Sequence, residues 1–345
     1  MFMKKLVLIL GNGFTIDLLS HLRNGIPEGI DLINLFSKGD TVVWPGEKLE
    51  RGFLSYKYCP ALWSLGARPN MDKSEANELM ENILTCANMM SSANTKPQNN
   101  NVYLDAYYEL AAYLRYLFVQ YNDTVSDDLL KDVVEEDWGW LKLIKGAYES
   151  NLYERIIIIT YNYDIFLERL LRIKGIKYDI GGIEENNNKV ILLKPHGSIS
   201  FAHNYKGVAV PFRIRKNDTM NEANISDFDV TYDNLSKNYL VSALIPPAGD
   251  SNRLAYGWAK GIRSKIDSML EAISDGDQCV ISGISYWHVD RQEIDKLLAK
   301  VSKKQVDTYM VNPHPPKALS AVLACVLPNH ITYSSSDWIG ELIDE

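Results

Sequence analysis

Two polar residues close apolar runs in this chain: Asn162 in Ile-Ile-Ile-Ile-Thr160-Tyr161-Asn162-Tyr163-Asp164, and His196 in Leu192-Leu193-Lys194-Pro195-His196-Gly197-Ser198. Such a run ending in polar residues is the pattern of a buried parallel strand that delivers a side chain at its carboxyl end. An amide and an imidazole delivered together can hold a ribose and activate a hydroxyl or a water. The setting of His196 between Pro195 and Gly197 predicts an exposed turn, where a ring titrating near neutrality can act as a base. Taken alone, a histidine such as His196 is more often a satisfied structural residue than a catalyst. A helix cap accounts for Asp164 as readily as a site role does, but leaves Asn162 unexplained, since one cap suffices.

Gly11-Asn12-Gly13-Phe14-Thr15 falls between a strand and a helix. Glycine lets the backbone approach a phosphate, and a helix N-terminus offers N–H donors with a partial positive charge. A tight turn would use the same residues. The dehydrogenase fingerprint needs a third glycine where Ile16 stands, and an acid ending a second strand about 20 residues on. Neither is present, which disfavours hydride transfer. Ser282-Gly283-Ile284-Ser285 and Val311-Asn312-Pro313 follow two later strands. The first can make another close-approach loop, and Asn312 can hydrogen-bond a ribose. The six histidines (21, 196, 203, 288, 314, 330) are dispersed, and no cluster has metal-ligand spacing.

The elements that must position these residues follow from periodicity. Strands are expected at 5–10, 155–160, 279–282 and 308–311, with helices beginning near Thr15, capped by Asp164, and at 255–273, 290–301 and 316–326. Tyr178–Ile183 and Lys189–Lys194 suggest a hairpin around Glu184–Asn188, and Tyr239–Ile245 a short strand. Between about 25 and 150 the pattern turns helical, at 75–90, 103–121 and 138–150, with an Asn-rich mobile loop at 91–101. The expectation is an α/β fold with a Rossmann-like, mainly parallel sheet formed by residues 1–24 and 151–345, carrying a helical insertion at 25–150.

The composition is that of an ordinary globular chain: 345 residues, 46% hydrophobic and 23% charged. A net charge of -8 argues against a nucleic-acid binder. The opening apolar run stops at Gly11, too short for a signal sequence, and no stretch has the length of a membrane span. Cys59, Cys86, Cys279 and Cys325 lie far apart, as expected of reduced thiols in a cytoplasmic protein.

In order and context, Gly-x-Gly, Thr-x-Asn-x-Asp, His-Gly, Gly-Ile-Ser and Val-Asn-Pro resemble the sirtuin family, over residues 5 to 313. The matching segments there are a Gly-Ala-Gly phosphate loop, a Thr-Gln-Asn-x-Asp strand end, a His-Gly base, a Gly-Thr-Ser loop and an Asn-Pro nucleoside loop. Protein-deacylating sirtuins carry a four-cysteine zinc module after His-Gly, whereas residues 198–278 here contain no cysteine. With its helical insertion, the layout is most similar to sirtuin-like effectors of bacterial anti-phage defence that hydrolyse NAD+.

That resemblance implies NAD+ as substrate, no metal, and Asn162 and His196 as the catalytic pair. It assigns nucleotide binding to Gly11, Asn12, Gly13, Phe14, Thr15, Asp164, Ser282, Gly283, Ser285 and Asn312. It also implies a gate on activity, either a homo-oligomer or a defence-system partner protein, with no nucleic acid and no membrane. NAD-dependent deacylation or ADP-ribosyl transfer, and a non-catalytic subunit that senses NAD or ADP-ribose, are the alternatives.

Overall fold

Strand β1 (Lys4–Leu10) is buried from Leu6 to Leu10, so both of its faces must be covered and it belongs in the middle of a sheet. The computed structural model, which describes residues 3–48, 51–92, 101–135, 138–205, 212–214, 222–247, 256–285 and 291–343, bears this out. Helix α1 (Asn12–Ser20) follows β1 directly. Five helices come next: α2 (Pro60–Ser64), α3 (Lys73–Ser92), α4 (Val102–Thr124), α5 (Asp127–Glu135) and α6 (Gly139–Glu149). The sheet resumes with β2 (Tyr153–Thr160), α7 (Phe166–Ile173), β3 (Tyr178–Ile180) and β4 (Val190–Leu193). A two-stranded antiparallel ribbon, β5 (Phe201–His203) with β6 (Phe228–Val230), stands apart. Then come α8 (Gly257–Glu271), β7 (Gln278–Ser282), α9 (Arg291–Val301), β8 (Asp307–Val311), α10 (Lys317–Val326) and β9 (Ile331–Tyr333).

Seven strands form one sheet in the order β3-β4-β2-β1-β7-β8-β9, and every neighbouring pair is parallel. From β1 the chain builds first toward β3 and later toward β9. The strand order therefore reverses between β1 and β7, where a doubly wound sheet opens a crevice at its carboxyl edge. The register aligns the edge: Leu10 lies beside Thr160 and Ser282, and Ile159 beside Leu193. The residues following β1, β2, β4 and β7 thus emerge side by side.

The helices between α1 and β2 share the sheet's core, since one apolar cluster runs from Leu8 and Ile158 through Phe14 and Trp140 to Phe36 and Tyr113. Helix α4 is buried along most of its 23 residues. Its N-terminus is capped by Asn101, whose side chain accepts from the Tyr103 and Leu104 amides. Its buried Glu109 in turn accepts from the Ala61 and Leu62 amides at the N-terminus of α2.

Four local expectations change. The first helix begins at Asn12 rather than near Thr15, so the glycine segment is its opening turn. Residues 178–194 are not a hairpin, because β3 and β4 run parallel with Tyr178 opposite Val190. The Asp179 carboxylate makes this short return possible by accepting from Asn186 Nδ2 and from the amide and side chain of Asn188. Tyr239–Ile245 forms no strand and contributes one bridge, Leu244 opposite Gly197. Helices α2 and α5 and strand β9 were not expected. Most of the Asn-rich loop lies outside the described residues. No helix among those described is long and apolar enough to cross a membrane.

Candidate functional site

Three of the chemistry-bearing segments interlock at the reversal point. The Gly11 and Gly13 amides donate to the Ser282 and Gly283 carbonyls, at 2.9 and 3.1 Å. A Cβ on Gly13 would lie 2.5 Å from the Gly283 Cα, and one on Gly11 would lie 2.6 Å from the Gly283 oxygen. Gly283 itself has φ +64°. These glycines let two loops touch each other, a use that neither the phosphate nor the tight-turn reading of the sequence contains.

From the neighbouring strand end, the Asn162 amide reaches into the same place. Asn162 Nδ2 donates to Gly11 O at 3.0 Å and to Thr15 Oγ1 at 2.8 Å. Thr15 Oγ1 passes its own proton to Asp164 Oδ2 at 2.9 Å. Because Gly11 O can only accept and Thr15 has given its hydrogen to Asp164, the nitrogen of the Asn162 amide must be the atom facing them. Oδ1 is then left as an acceptor on a half-buried side chain. The N-cap of α7 is Ile165 rather than Asp164, which lies one residue earlier and accepts from the Phe166 amide at the start of the helix.

Beneath this network Lys194 is fully buried. It donates to the Asp164 carbonyl and to Glu168 Oε1, both at 2.6 Å. Burial pushes the Asp164 and Glu168 carboxyls up, and the Lys194 charge opposes the rise at both. Lys194 belongs to the His196 segment, while Asp164 ends the Asn162 segment and Glu168 lies in α7, which follows it. The lysine therefore fixes the two segments against each other.

His196 follows β4 on a turn, with Gly197 at φ +87°, but the turn is not exposed. The residue is only 2% accessible because residues 243–245 cross over it: the Ser198 amide donates to Ala243 O and the Ile245 amide to His196 O. Its Nε2 lies 3.2 Å from Glu293 Oε2 on α9, and Glu293 Oε1 accepts from Arg263 Nε on α8 at 3.2 Å. Burial alone would raise the Glu293 carboxyl, but its hydrogen bonds and charge contacts with His196 and Arg263 outweigh that and bring it down to about 2. The imidazole is packed edge-on against the ring of Tyr161, centroids 4.9 Å apart. Asn162 and His196 thus follow neighbouring strand ends, with the amide held toward α1 by Gly11 and Thr15 and the imidazole held against Tyr161 and Glu293 of α9.

The remaining expected residues divide. Asn12 starts α1 and uses its side chain to hold the Leu32 carbonyl at 2.7 Å. Phe14 points into the core against Trp138 and Trp140, away from the edge. The Ser282 side chain is buried, while Ser285 is exposed two residues beyond Gly283. Asn312 follows β8, one strand further out, where Oδ1 accepts from the His314 amide. Glu293, Arg263, Lys194 and Glu168 were not anticipated; only the placement of Lys194 two residues before His196 hinted at any of them. Among the described residues no group of three or more His, Cys, Asp or Glu is arranged to hold a metal. Compared with known proteins, the chain matches no family model and no curated sequence.

Proposed function

We propose that this protein is an NAD+ glycohydrolase that cleaves the bond between nicotinamide and ribose, giving nicotinamide and ADP-ribose. The supporting observation is that the segments carrying Asn162 and His196 end neighbouring parallel strands at the carboxyl edge of the sheet, beside the reversal of strand order. That edge is where α/β proteins bind nucleotides.

The chemistry asks little of the protein, because nicotinamide departs neutral through an oxocarbenium-like transition state. Asn162, with its nitrogen committed to Gly11 and Thr15, offers Oδ1 to a ribose hydroxyl or to the attacking water. His196, oriented by donating Nε2–H to Glu293, takes up the proton released in the attack. General-base help of this kind contributes about 10²–10⁴-fold. The pyrophosphate is assigned to the N-terminal end of α1 and the Ser282–Ser285 loop. Since the Gly11 and Gly13 amides are already engaged, helix polarity and the outer loop residues carry that role. A gate on activity, by self-association or a partner protein, and a part in anti-phage defence belong to the same proposal.

The experiment is incubation of the purified chain with NAD+, following nicotinamide and ADP-ribose. Asn162→Ala and His196→Ala should each abolish release at a temperature where circular dichroism shows the variant folded, even though both lose hydrogen bonds and unfold at lower midpoints. Near-normal release from both variants would remove the assignment. Release only in the presence of an acyl-lysine peptide would favour deacylation, and thermal stabilisation by NAD+ without release would favour a sensing role.

A further inference from the structure

Away from the Asn162–His196 group, Arg115 lies in the middle of α4 with only 3% of its surface accessible. A buried guanidinium is costly unless its donors are met. Here Nη2 donates to the Leu235 carbonyl at 3.0 Å, while Nε and Nη1 find no partner. The same residue lines a cavity of about 30 Å³. Arg213 and Asn238 stand at its exposed rim, with Tyr116, Tyr239 and Ser242 in its wall. The guanidinium carbon is 5.2 Å from the Tyr239 ring, and Lys237 lies over that ring at 5.6 Å. Among the described residues, two arginines and no carboxylate line the space, in a chain of net charge -8. Burial lowers the Arg115 pKa from its ordinary value, the mark of a charge without adequate compensation.

We propose that this cavity is an oxyanion site, in which a phosphate or phosphomonoester accepts from the unmet guanidinium donors of Arg115. The size allows that class of ligand: about 10–15 Å³ admits one water, so a cavity of about 30 Å³ has room for more than one water-sized group beside the guanidinium. The polarity fits as well, since a guanidinium has donors only, and charge-assisted bonds to phosphate are among the strongest hydrogen bonds a side chain makes. Asn238 and Arg213 at the rim supply further donors. None of the residues assigned to NAD+ cleavage lines this space, so the proposal stands independently of that reading.

The test is thermal unfolding of the full chain, titrated with potassium phosphate or adenosine monophosphate against potassium chloride at equal ionic strength. A saturable rise in midpoint is expected for at least one probe. Equal response to both identifies a free oxyanion as sufficient, and tighter binding of the nucleotide identifies a phosphomonoester. Arg115→Met keeps length while removing the charge and should weaken binding by about 10- to 100-fold, the range for a lost charge-assisted bond. Without ligand it should unfold no lower than wild type, because an apolar side chain suits the site better than an unmet charge. Arg213→Ala, at the exposed rim, is measured alongside and should weaken binding several-fold with the fold intact. No saturable shift with either probe in the wild type, or wild-type affinity in both variants, overturns the proposal.

Discussion

Glu293 holds the orientation of the proposed base, and its own ionisation makes that role measurable. Its carboxyl is brought from an ordinary 4.5 to about 2. A depressed carboxyl stabilises the fold fully above its unfolded value and loses that contribution as pH falls through the folded one. The stability difference between wild type and Glu293→Gln should therefore be constant above about 4.5 and shrink as the pH approaches 2. A difference unchanged by pH in urea titrations would contradict the ion pair. Glu293→Gln should also lower nicotinamide release at saturating NAD+, since a neutral amide no longer favours the imidazolium formed during proton uptake, with KM less affected than kcat. Thr15 offers a second test. Thr15→Val takes one acceptor from Asn162 and the hydroxyl donor from Asp164. It should cost about 1–3 kcal/mol in denaturant-derived stability, the usual penalty for buried polar groups left without partners.

At the scale of elements, the meeting of the β1 and β7 loops depends on three missing side chains. Gly13→Ala or Gly283→Ala should destabilise by about 2–4 kcal/mol through backbone overlap, because each Cβ would fall 2.5 Å from the other loop. Gly276→Ala is the control. It also has positive φ, +84°, but faces open space, so only the conformational cost of about 1 kcal/mol applies. Equal midpoints for Gly13→Ala and Gly276→Ala in chemical denaturation would show that the contact is not tight. The strands here were legible because Ile156–Ile159 and Leu6–Leu10 are apolar on both faces, which only a central parallel strand explains. Helix α5 also left a signal: Ser126 accepts from the Leu129 amide, and Asp127 and Asp128 occupy the first turn. The β3–β4 return was misread because an Asn-rich run looks like a hairpin turn, and periodicity does not record strand direction. Glu293 was invisible for a different reason. In Arg291-Gln292-Glu293-Ile294-Asp295-Lys296 it is one charge among several on an amphipathic helix, and nothing local separates the inward carboxylate from a solvated one. Phe14 was assigned to the nucleotide by its place in a motif, while its size sent it to the tryptophans of α6 and its cap.

Across the whole molecule, the buried Lys194–Glu168 pair joins helix α7 to the β4 end, and breaking one partner is far worse than removing both. Lys194→Met should cost about 3–5 kcal/mol by leaving a carboxylate uncompensated, while the double variant Lys194→Met/Glu168→Leu should recover most of that loss. A double-mutant cycle with no coupling would disprove the link. The same lysine has a practical consequence. With 0% of its side chain accessible, its amine is sealed from acylating reagents that modify exposed lysines at once. Lys194 becomes reactive only when the sheet's carboxyl edge comes apart, so the rate at which mass spectrometry detects its tagging is an internal clock for global opening of the chain.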